Sequence, residues 1–184
     1  MNVYLIGYRG SGKTSVAQPL AEILGWETLD SDDEIETLAG TTIREIFESE
    51  GEVGFRKIEA AVIEGVAMLD STVVALGGGA ILDARTRKRI GETGKVVWLQ
   101  VSPEIAHRRI ASDEKSPDQR PDLTQSGGIR EIEQMLEIRT PIYQSCANLT
   151  LDADQATPDQ LATQIFDHFE SELLHGSGPG GSTD

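Results

Sequence analysis

The sequence predicts an α/β fold, in which helices cover a parallel sheet of five strands. Short apolar runs alternate with longer amphipathic stretches, which is typical of parallel strands joined by crossover helices. A glycine-rich turn directly follows the first apolar run and precedes a helical stretch, which gives a strand–turn–helix unit. We expect strands at residues 2–6, 27–29, 72–75, 96–101 and 148–151.

The helices are expected between these strands, and local signals mark several of their ends. Gly40 separates two short helices, and Thr42 with Glu45 forms a capping box at the start of the second. Pro103 and Pro158 occupy first helical positions, where a missing backbone N–H costs little. We expect helices at residues 15–24, 32–39, 42–50, 54–70, 84–93, 103–112, 129–145 and 158–174.

Two segments depart from the alternating pattern. Residues 112–128 are polar, contain two prolines and have no apolar period, and such a stretch inside a compact domain is typical of a lid or binding loop. Residues 175–184 are rich in glycine and have nothing to bury. We therefore predict a single domain at residues 1–174, a mobile lid at about 112–126, and a disordered tail at 175–184.

Composition and charge narrow the possible partners. The chain has 16 Lys and Arg against 31 Asp and Glu, and its net charge of −15 argues against a nucleic acid or an anionic membrane. No apolar stretch approaches the roughly 20 residues of a membrane span. The single cysteine, Cys146, excludes an internal disulfide and suits a reducing compartment. Because the first strand begins almost at Met1, we expect no export signal and a cytoplasmic protein.

Residues 7–14 read GYRGSGKT, a complete G-x-x-x-x-G-K-[ST] phosphate-binding loop. A glycine turn at a helix N-terminus points backbone N–H groups at one anion, so the placement disfavours a turn without a ligand. Lys13 would reach the β- and γ-phosphates, and the Thr14 hydroxyl would ligate Mg²⁺. We predict that the nucleotide contacts Gly10, Ser11, Gly12, Lys13, Thr14 and Ser15.

Paired carboxylates follow the second predicted strand. Asp30 and Asp32 should lie at the ligand edge of the sheet, because the carboxyl ends of parallel strands face the crevice. One of them would hold the Mg²⁺ hydration shell near Thr14, and the other would orient an attacking hydroxyl. For Asp33 a solvated helix start is the better interpretation. We predict Mg²⁺ at Thr14 and Asp30.

Arginines and glycines supply a second candidate subsite. Arg56 opens a long helix with Glu59 one turn later, which predicts either a positioned carboxylate clamp or a plain surface ion pair. Three consecutive glycines, residues 77–79, follow the third strand and would let a ligand lie against backbone amides. Arg120 lies in the irregular segment, where closure would bring it over the phosphates, and Arg139 lies on the next helix.

The end of the helix at 103–112 carries two further arginines. Arg109 would stack on a nucleotide base, whereas a solvated cation at a helix C-terminus is the alternative, which we prefer for Arg108.

Taken together, these motifs resemble shikimate kinase, over residues 1 to about 174. The phosphate loop is followed in order by D-S-D, G-x-x-x-F-R, G-G-G, R-P and R-x-x-x-Y motifs, which lie at residues 30–32, 51–56, 77–79, 120–121 and 139–143. Each motif alone is weak, but all of them in this order are specific. The resemblance implies a three-layer P-loop kinase fold, like that of nucleoside monophosphate kinases, with sheet order 2-3-1-4-5.

The same resemblance implies a reaction and the roles of individual residues. ATP would phosphorylate the 3-hydroxyl of shikimate, with the shikimate-binding region at about residues 31–66. Arg56 and Arg139 would clamp the carboxylate, and Asp32 would bind ring hydroxyls including the attacking one. Further implied contacts are Gly78 and Gly79 to shikimate, Arg120 as the lid arginine, and Arg109 and Pro158 beside adenine. The catalytic residues would be Lys13, Asp32 and Arg120.

Two alternatives stay open at the level of sequence. A related small-molecule kinase, such as one for gluconate or a nucleoside monophosphate, would share the loop and part of the acceptor site. A non-catalytic nucleotide-binding module would keep the loop alone, although it would need neither the paired aspartates nor the arginines. We expect ATP and shikimate as the partners, and a monomer.

Overall fold

A computed structural model describes residues 1–112 and 128–175. Its centre is one parallel sheet of five strands: β1 (Asn2–Ile6), β2 (Glu27–Asp30), β3 (Thr72–Ala75), β4 (Gly94–Gln100) and β5 (Leu149–Asp152). The spatial order is β2-β3-β1-β4-β5, which confirms the predicted order 2-3-1-4-5. The strands differ from the predicted ranges only at their ends.

Seven α-helices are present in the described residues, together with a short 3₁₀ helix at Ala80–Leu82. They are α1 (Lys13–Leu24), α2 (Ser31–Ala39), α3 (Ile43–Val66), α4 (Ala84–Thr93), α5 (Pro103–Ser112), α6 (Ile129–Cys146) and α7 (Pro158–His175). None of these helices has both the length and the apolarity that crossing a membrane requires.

Helix α3 covers the two helices that were predicted at 42–50 and 54–70. Its N-terminus has the predicted capping box of Thr42 and Glu45. Gly51 interrupts the helix with φ 67°, a left-handed value that glycine adopts without strain, and the axis bends there. The second half of α3 carries Arg56, whose guanidinium lies against Gly79 after β3. The helix ends at Val66, so the prediction of a helix to residue 70 was wrong.

Side chains of β1 alternate between two hydrophobic cores, one on each face of the sheet. Tyr4 and Ile6 belong to a core that includes side chains from α2, α3, α4 and α6. Val3 and Leu5 belong to the other, which α1 and α7 complete. Every residue of β1 is buried, as expected for the central strand of a sheet covered on both faces. The result is a three-layer arrangement.

The candidate residues collect at one edge of this sheet, where β1, β2 and β3 end. Residue 7 follows β1, residue 31 follows β2, and residues 76–79 follow β3. Apart from Ser112 and His175, the predicted lid at 112–126 and tail at 175–184 lie outside the described residues. Arg120 therefore remains a prediction from the sequence.

Candidate active site

The phosphate loop is held in a narrow space that its glycines make possible. Gly7, Gly10 and Gly12 have φ values of 148°, 78° and 88°. A Cβ atom on Gly7 would lie 2.5 Å from the carbonyl oxygen of Leu99, and one on Gly10 would lie 3.0 Å from that of Ala106. A larger residue at either position would therefore displace the backbone of a neighbouring segment, and with it the loop.

Lys13 is the first residue of α1, and its ammonium group folds back over the loop. Nζ donates hydrogen bonds to the carbonyl oxygens of Gly7 at 3.0 Å and Tyr8 at 3.1 Å. These bonds hold a positive charge at the loop, which also precedes the positive end of the α1 dipole. Ser11 is fully buried within the loop, whereas Thr14 and Ser15 are exposed at the start of the helix. The arrangement favours a bound polyanion.

Thr14 and Asp30 lie in direct contact across the gap between α1 and β2. The Thr14 hydroxyl donates to Oδ2 of Asp30 at 2.7 Å, while Oδ1 accepts from the backbone N–H of Asp32 at 2.9 Å. Asp30 is thus the N-cap of α2, and one carboxylate oxygen faces the loop. The described residues contain no group of three or more His, Cys, Asp or Glu that could hold a metal ion. A hydroxyl and one carboxylate, completed by water and phosphate oxygens, fit the ligand preference of Mg²⁺.

Ser31 was not predicted from the sequence, yet it joins two parts of the site. Its side chain is fully buried, and Oγ accepts a hydrogen bond of 2.8 Å from the backbone N–H of Gly77. The bond ties the start of α2 to the glycine segment after β3. Asp32, the next residue, is half-buried in the first turn of α2. A small hydroxyl residue between two aspartates at a strand end was the only available signal in the sequence.

Arg56 forms the ion pair that its spacing predicted, but not on the surface. Nη1 lies 2.5 Å from Oε2 of Glu59, whose side chain is 5% exposed, and Nη2 lies 3.3 Å from Oε1 of Glu52. Burial disfavours the charged guanidinium, but the Glu59 and Glu52 carboxylates outweigh that effect and raise the pKa of Arg56. A Cβ on Gly79 would lie 2.8 Å from Nη2. The guanidinium therefore rests against the glycine segment.

Arg139 reaches the same segment from α6. Its Nη1 donates to the carbonyl oxygen of Gly78 at 3.2 Å, and the Tyr143 hydroxyl donates to that oxygen at 2.7 Å. Arg139 is 8% exposed and Tyr143 is fully buried, and burial raises the pKa of Tyr143 to about 12. The phenol therefore stays protonated and remains a donor throughout the physiological range.

The two guanidinium groups consequently lie at adjacent glycines, across from the phosphate loop. A Cβ on Gly78 would lie 3.4 Å from the carbonyl oxygen of Gly7 and 3.5 Å from the backbone nitrogen of Arg9, so the glycine segment runs beside the loop. The structure thus brings together the predicted residues Lys13, Arg56, Gly78, Gly79 and Arg139. Cations from three separate helices face one region.

Arg109 lies on the opposite side of the loop. Its Nη1 donates to the carbonyl oxygen of Gly10 at 3.2 Å, and its Nη2 donates to that of Ala153 at 2.7 Å. Arg109 therefore bridges the phosphate loop and the segment that leads to Pro158, an exposed residue at the start of α7. Arg108 is exposed, in keeping with a solvated cation.

Comparison with known proteins identifies relatives along most of the chain. The family model described as shikimate kinase matches residues 9–170. A shikimate kinase of Coxiella burnetii is 43% identical over 165 residues, which is 90% of this chain and 91% of that protein. A shikimate kinase of Rhodopirellula baltica is 40% identical over 172 residues, which is 94% of this chain and 92% of that protein.

Solved structures give the same result. The structure of the Acinetobacter baumannii shikimate kinase in complex with shikimate is similar with a TM-score of 0.86 and 40% sequence identity, and it covers 94% of each chain. The Aquifex aeolicus shikimate kinase has a TM-score of 0.77 and 27% identity, over 96% of this chain and all of that one. The predicted resemblance is confirmed: the chain belongs to the shikimate kinase family.

Proposed function

We propose that the chain transfers the γ-phosphoryl group of ATP to the 3-hydroxyl of shikimate, giving shikimate 3-phosphate and ADP. The observation that carries this proposal is the position of Arg56 and Arg139 at adjacent glycines beside the phosphate loop. Two guanidinium forks at one place match a carboxylate, because each offers parallel N–H donors. Membership of the shikimate kinase family supports shikimate as the acid that they bind.

The nucleotide occupies the phosphate loop in this proposal. Gly10, Ser11, Gly12, Thr14 and Ser15 contact its phosphates, and Lys13 moves its ammonium group from the loop carbonyls to the β- and γ-phosphates. Arg109 and Pro158 flank the adenine. Arg120, which lies outside the described residues, reaches the transferring group from the lid and balances the negative charge that spreads over it.

The pair of Thr14 and Asp30 would hold Mg²⁺. Such an ion would neutralise negative charge on the nucleotide phosphates during the transfer. The contact of 2.7 Å between the two side chains places a hydroxyl and a carboxylate within reach of a single cation. The second oxygen of Asp30 is used by the backbone N–H of Asp32, which fixes the orientation of the carboxylate.

Asp32 orients the acceptor. It lies two residues after Asp30, in the first turn of α2, and accepts hydrogen bonds from the ring hydroxyls including the one that attacks. The carbonyl of Gly78 is already occupied by Arg139 and Tyr143, so Gly78 and Gly79 contribute close approach rather than a vacant acceptor. The chain works as a monomer in the cytoplasm, with ATP and shikimate as its ligands.

The test is an ADP-release assay with purified protein and Mg²⁺-ATP. Shikimate, gluconate, AMP and no acceptor are compared as separate reactions, and the phosphorylated product is identified by mass spectrometry and NMR. Turnover with shikimate alone, with phosphate on the 3-oxygen, supports the proposal. Turnover with gluconate or AMP contradicts the proposal, and so does a rate of ADP release that is the same with and without an acceptor.

A further inference from the structure

Tyr8, a residue of the phosphate loop, contacts the acceptor side of the site with its side chain. The centroid of its ring lies 5.7 Å from Cζ of Arg139. A guanidinium within about 6 Å of an aromatic centroid is attracted by the electron-rich face of the ring. Tyr8 is 6% exposed, so water screens this attraction little. One loop residue thus contacts the arginine that approaches from α6.

The ring is itself held firmly. Tyr8 packs in a small apolar cluster with Val101, which directly follows β4, with Ala106 of α5 and with Ile132 of α6. Its backbone carbonyl accepts hydrogen bonds from Lys13 Nζ and from the N–H of Ser11, each at 3.1 Å. The backbone of Tyr8 is therefore part of the phosphate loop, whereas its ring contacts Arg139.

The charges around the phenol are consistent with this placement. The pKa of Tyr8 is raised, mainly because the phenol is buried. The positive charges of Arg139 and Arg9 lower this pKa, and the negative charge of Glu131 raises it. The net effect is a raised pKa, so the phenol stays protonated and its contact with Arg139 is a cation–π contact and not an ion pair.

We infer that Tyr8 is a positioning residue, whose ring fixes the guanidinium of Arg139 at the distance from the phosphate loop that the acceptor carboxylate requires. The inference rests on the proposed function, since it assigns the role to the shikimate-binding arginine. Tyr8 does not contact reacting atoms. It acts through Arg139, and its removal should weaken acceptor binding while leaving the nucleotide contacts, which come from its backbone, in place.

The test is a double-mutant cycle on acceptor binding. Tyr8→Leu should raise the KM for shikimate about 5-fold, as expected for loss of one desolvated cation–π contact. The KM for ATP should not change. Tyr8→Phe, which keeps the ring, should behave as the unaltered protein. In an Arg139→Gln background, Tyr8→Leu should have no further effect on shikimate binding measured by calorimetry.

Each outcome decides between this role and simple core packing. A Tyr8→Leu effect of equal size in both backgrounds, an equal rise in both KM values, or a Tyr8→Phe variant as impaired as Tyr8→Leu would overturn the inference. Thermal unfolding of every variant identifies loss of folding, and Tyr8→Met, which has a long apolar side chain, replaces the leucine variant if that one unfolds. If the unaltered protein neither binds nor phosphorylates shikimate, the proposed function fails instead.

Discussion

Arg56 lies so close to Gly79 that the glycine has no room for a side chain. A Cβ at residue 79 would be 2.8 Å from Nη2 and 3.1 Å from Nη1 of Arg56. The φ of Gly79 is −105°, which alanine adopts easily, so the obstacle is the guanidinium and not the backbone. A guanidinium at the end of a flexible side chain gives way, and the fold survives. Gly79 therefore sets the position of Arg56.

Gly79→Ala should consequently impair acceptor binding without unfolding the protein. We expect the KM for shikimate to rise about 10-fold, because a charge-assisted contact is displaced. The KM for ATP should stay the same. Gly91→Ala is the matched control, because a Cβ there meets nothing within 4 Å. That variant should keep unaltered kinetics and, as a helical Gly→Ala change in α4, gain about 0.5–1 kcal/mol of stability. Equal KM values for both variants would contradict the role of Gly79.

Removal of Arg56 should lower both the affinity for shikimate and the stability of the fold. Arg56→Ala should weaken shikimate binding by about 2–5 kcal/mol, the usual cost of breaking a buried charge pair. It should also destabilise the fold, because the buried carboxylate of Glu59 loses the guanidinium 2.5 Å away.

The double variant Arg56→Ala/Glu59→Gln distinguishes these two effects. Neutralising residue 59 should recover stability in urea unfolding but should leave the high shikimate KM. Arg85→Ala removes an arginine that is 84% exposed and pairs with Asp83 on the surface, so it serves as the control. Recovery of shikimate binding in the double variant would show that Arg56 supports the fold and not the acceptor.

The hydroxyl of Thr14 should determine how much Mg²⁺ the reaction needs. Thr14→Val removes one of the two oxygens that meet at 2.7 Å, and we expect the Mg²⁺ concentration for half-maximal rate to rise about 10–100-fold. Thr14→Ser keeps the hydroxyl and should change this value little. Initial rates measured against Mg²⁺ at saturating ATP and shikimate test the prediction, which fails if both variants give the same dependence.

We expect Ser31 to contribute to the stability of the fold more than to the reaction. Ser31→Ala leaves the buried N–H of Gly77 without its acceptor, and we expect a loss of about 1–3 kcal/mol in the free energy of unfolding. Ser145→Ala is the control, because that exposed hydroxyl donates to a carbonyl of its own helix. It should cost less than about 0.5 kcal/mol. Equilibrium urea unfolding compares the two, and equal losses would contradict the structural role of Ser31.

The sequence predicted those parts of the site that depend on local spacing. The loop at 7–14 and the pair Arg56–Glu59 each lie within a few residues, and the contact of Thr14 with Asp30 follows because parallel strands end at one edge. Two contacts between distant segments were not predicted. Ser31 meets Gly77 only because β2 lies beside β3, and Tyr8 meets Arg139 only because α6 packs over the loop. Apolar pattern and turn chemistry carry no information about such pairs.

The side chains of β1 alternate between two cores, and this alternation limits which sequence changes the strand can accept. Side chains on either face of the strand can be exchanged separately, since each face belongs to its own core. Its length is a different matter. Insertion or deletion of one residue would move side chains of β1 to the opposite face of the sheet and so into the wrong core. It would also rotate the glycine turn away from Asp30. The length of the central strand is therefore required both for folding and for phosphate binding. A change in this length would impair both properties together.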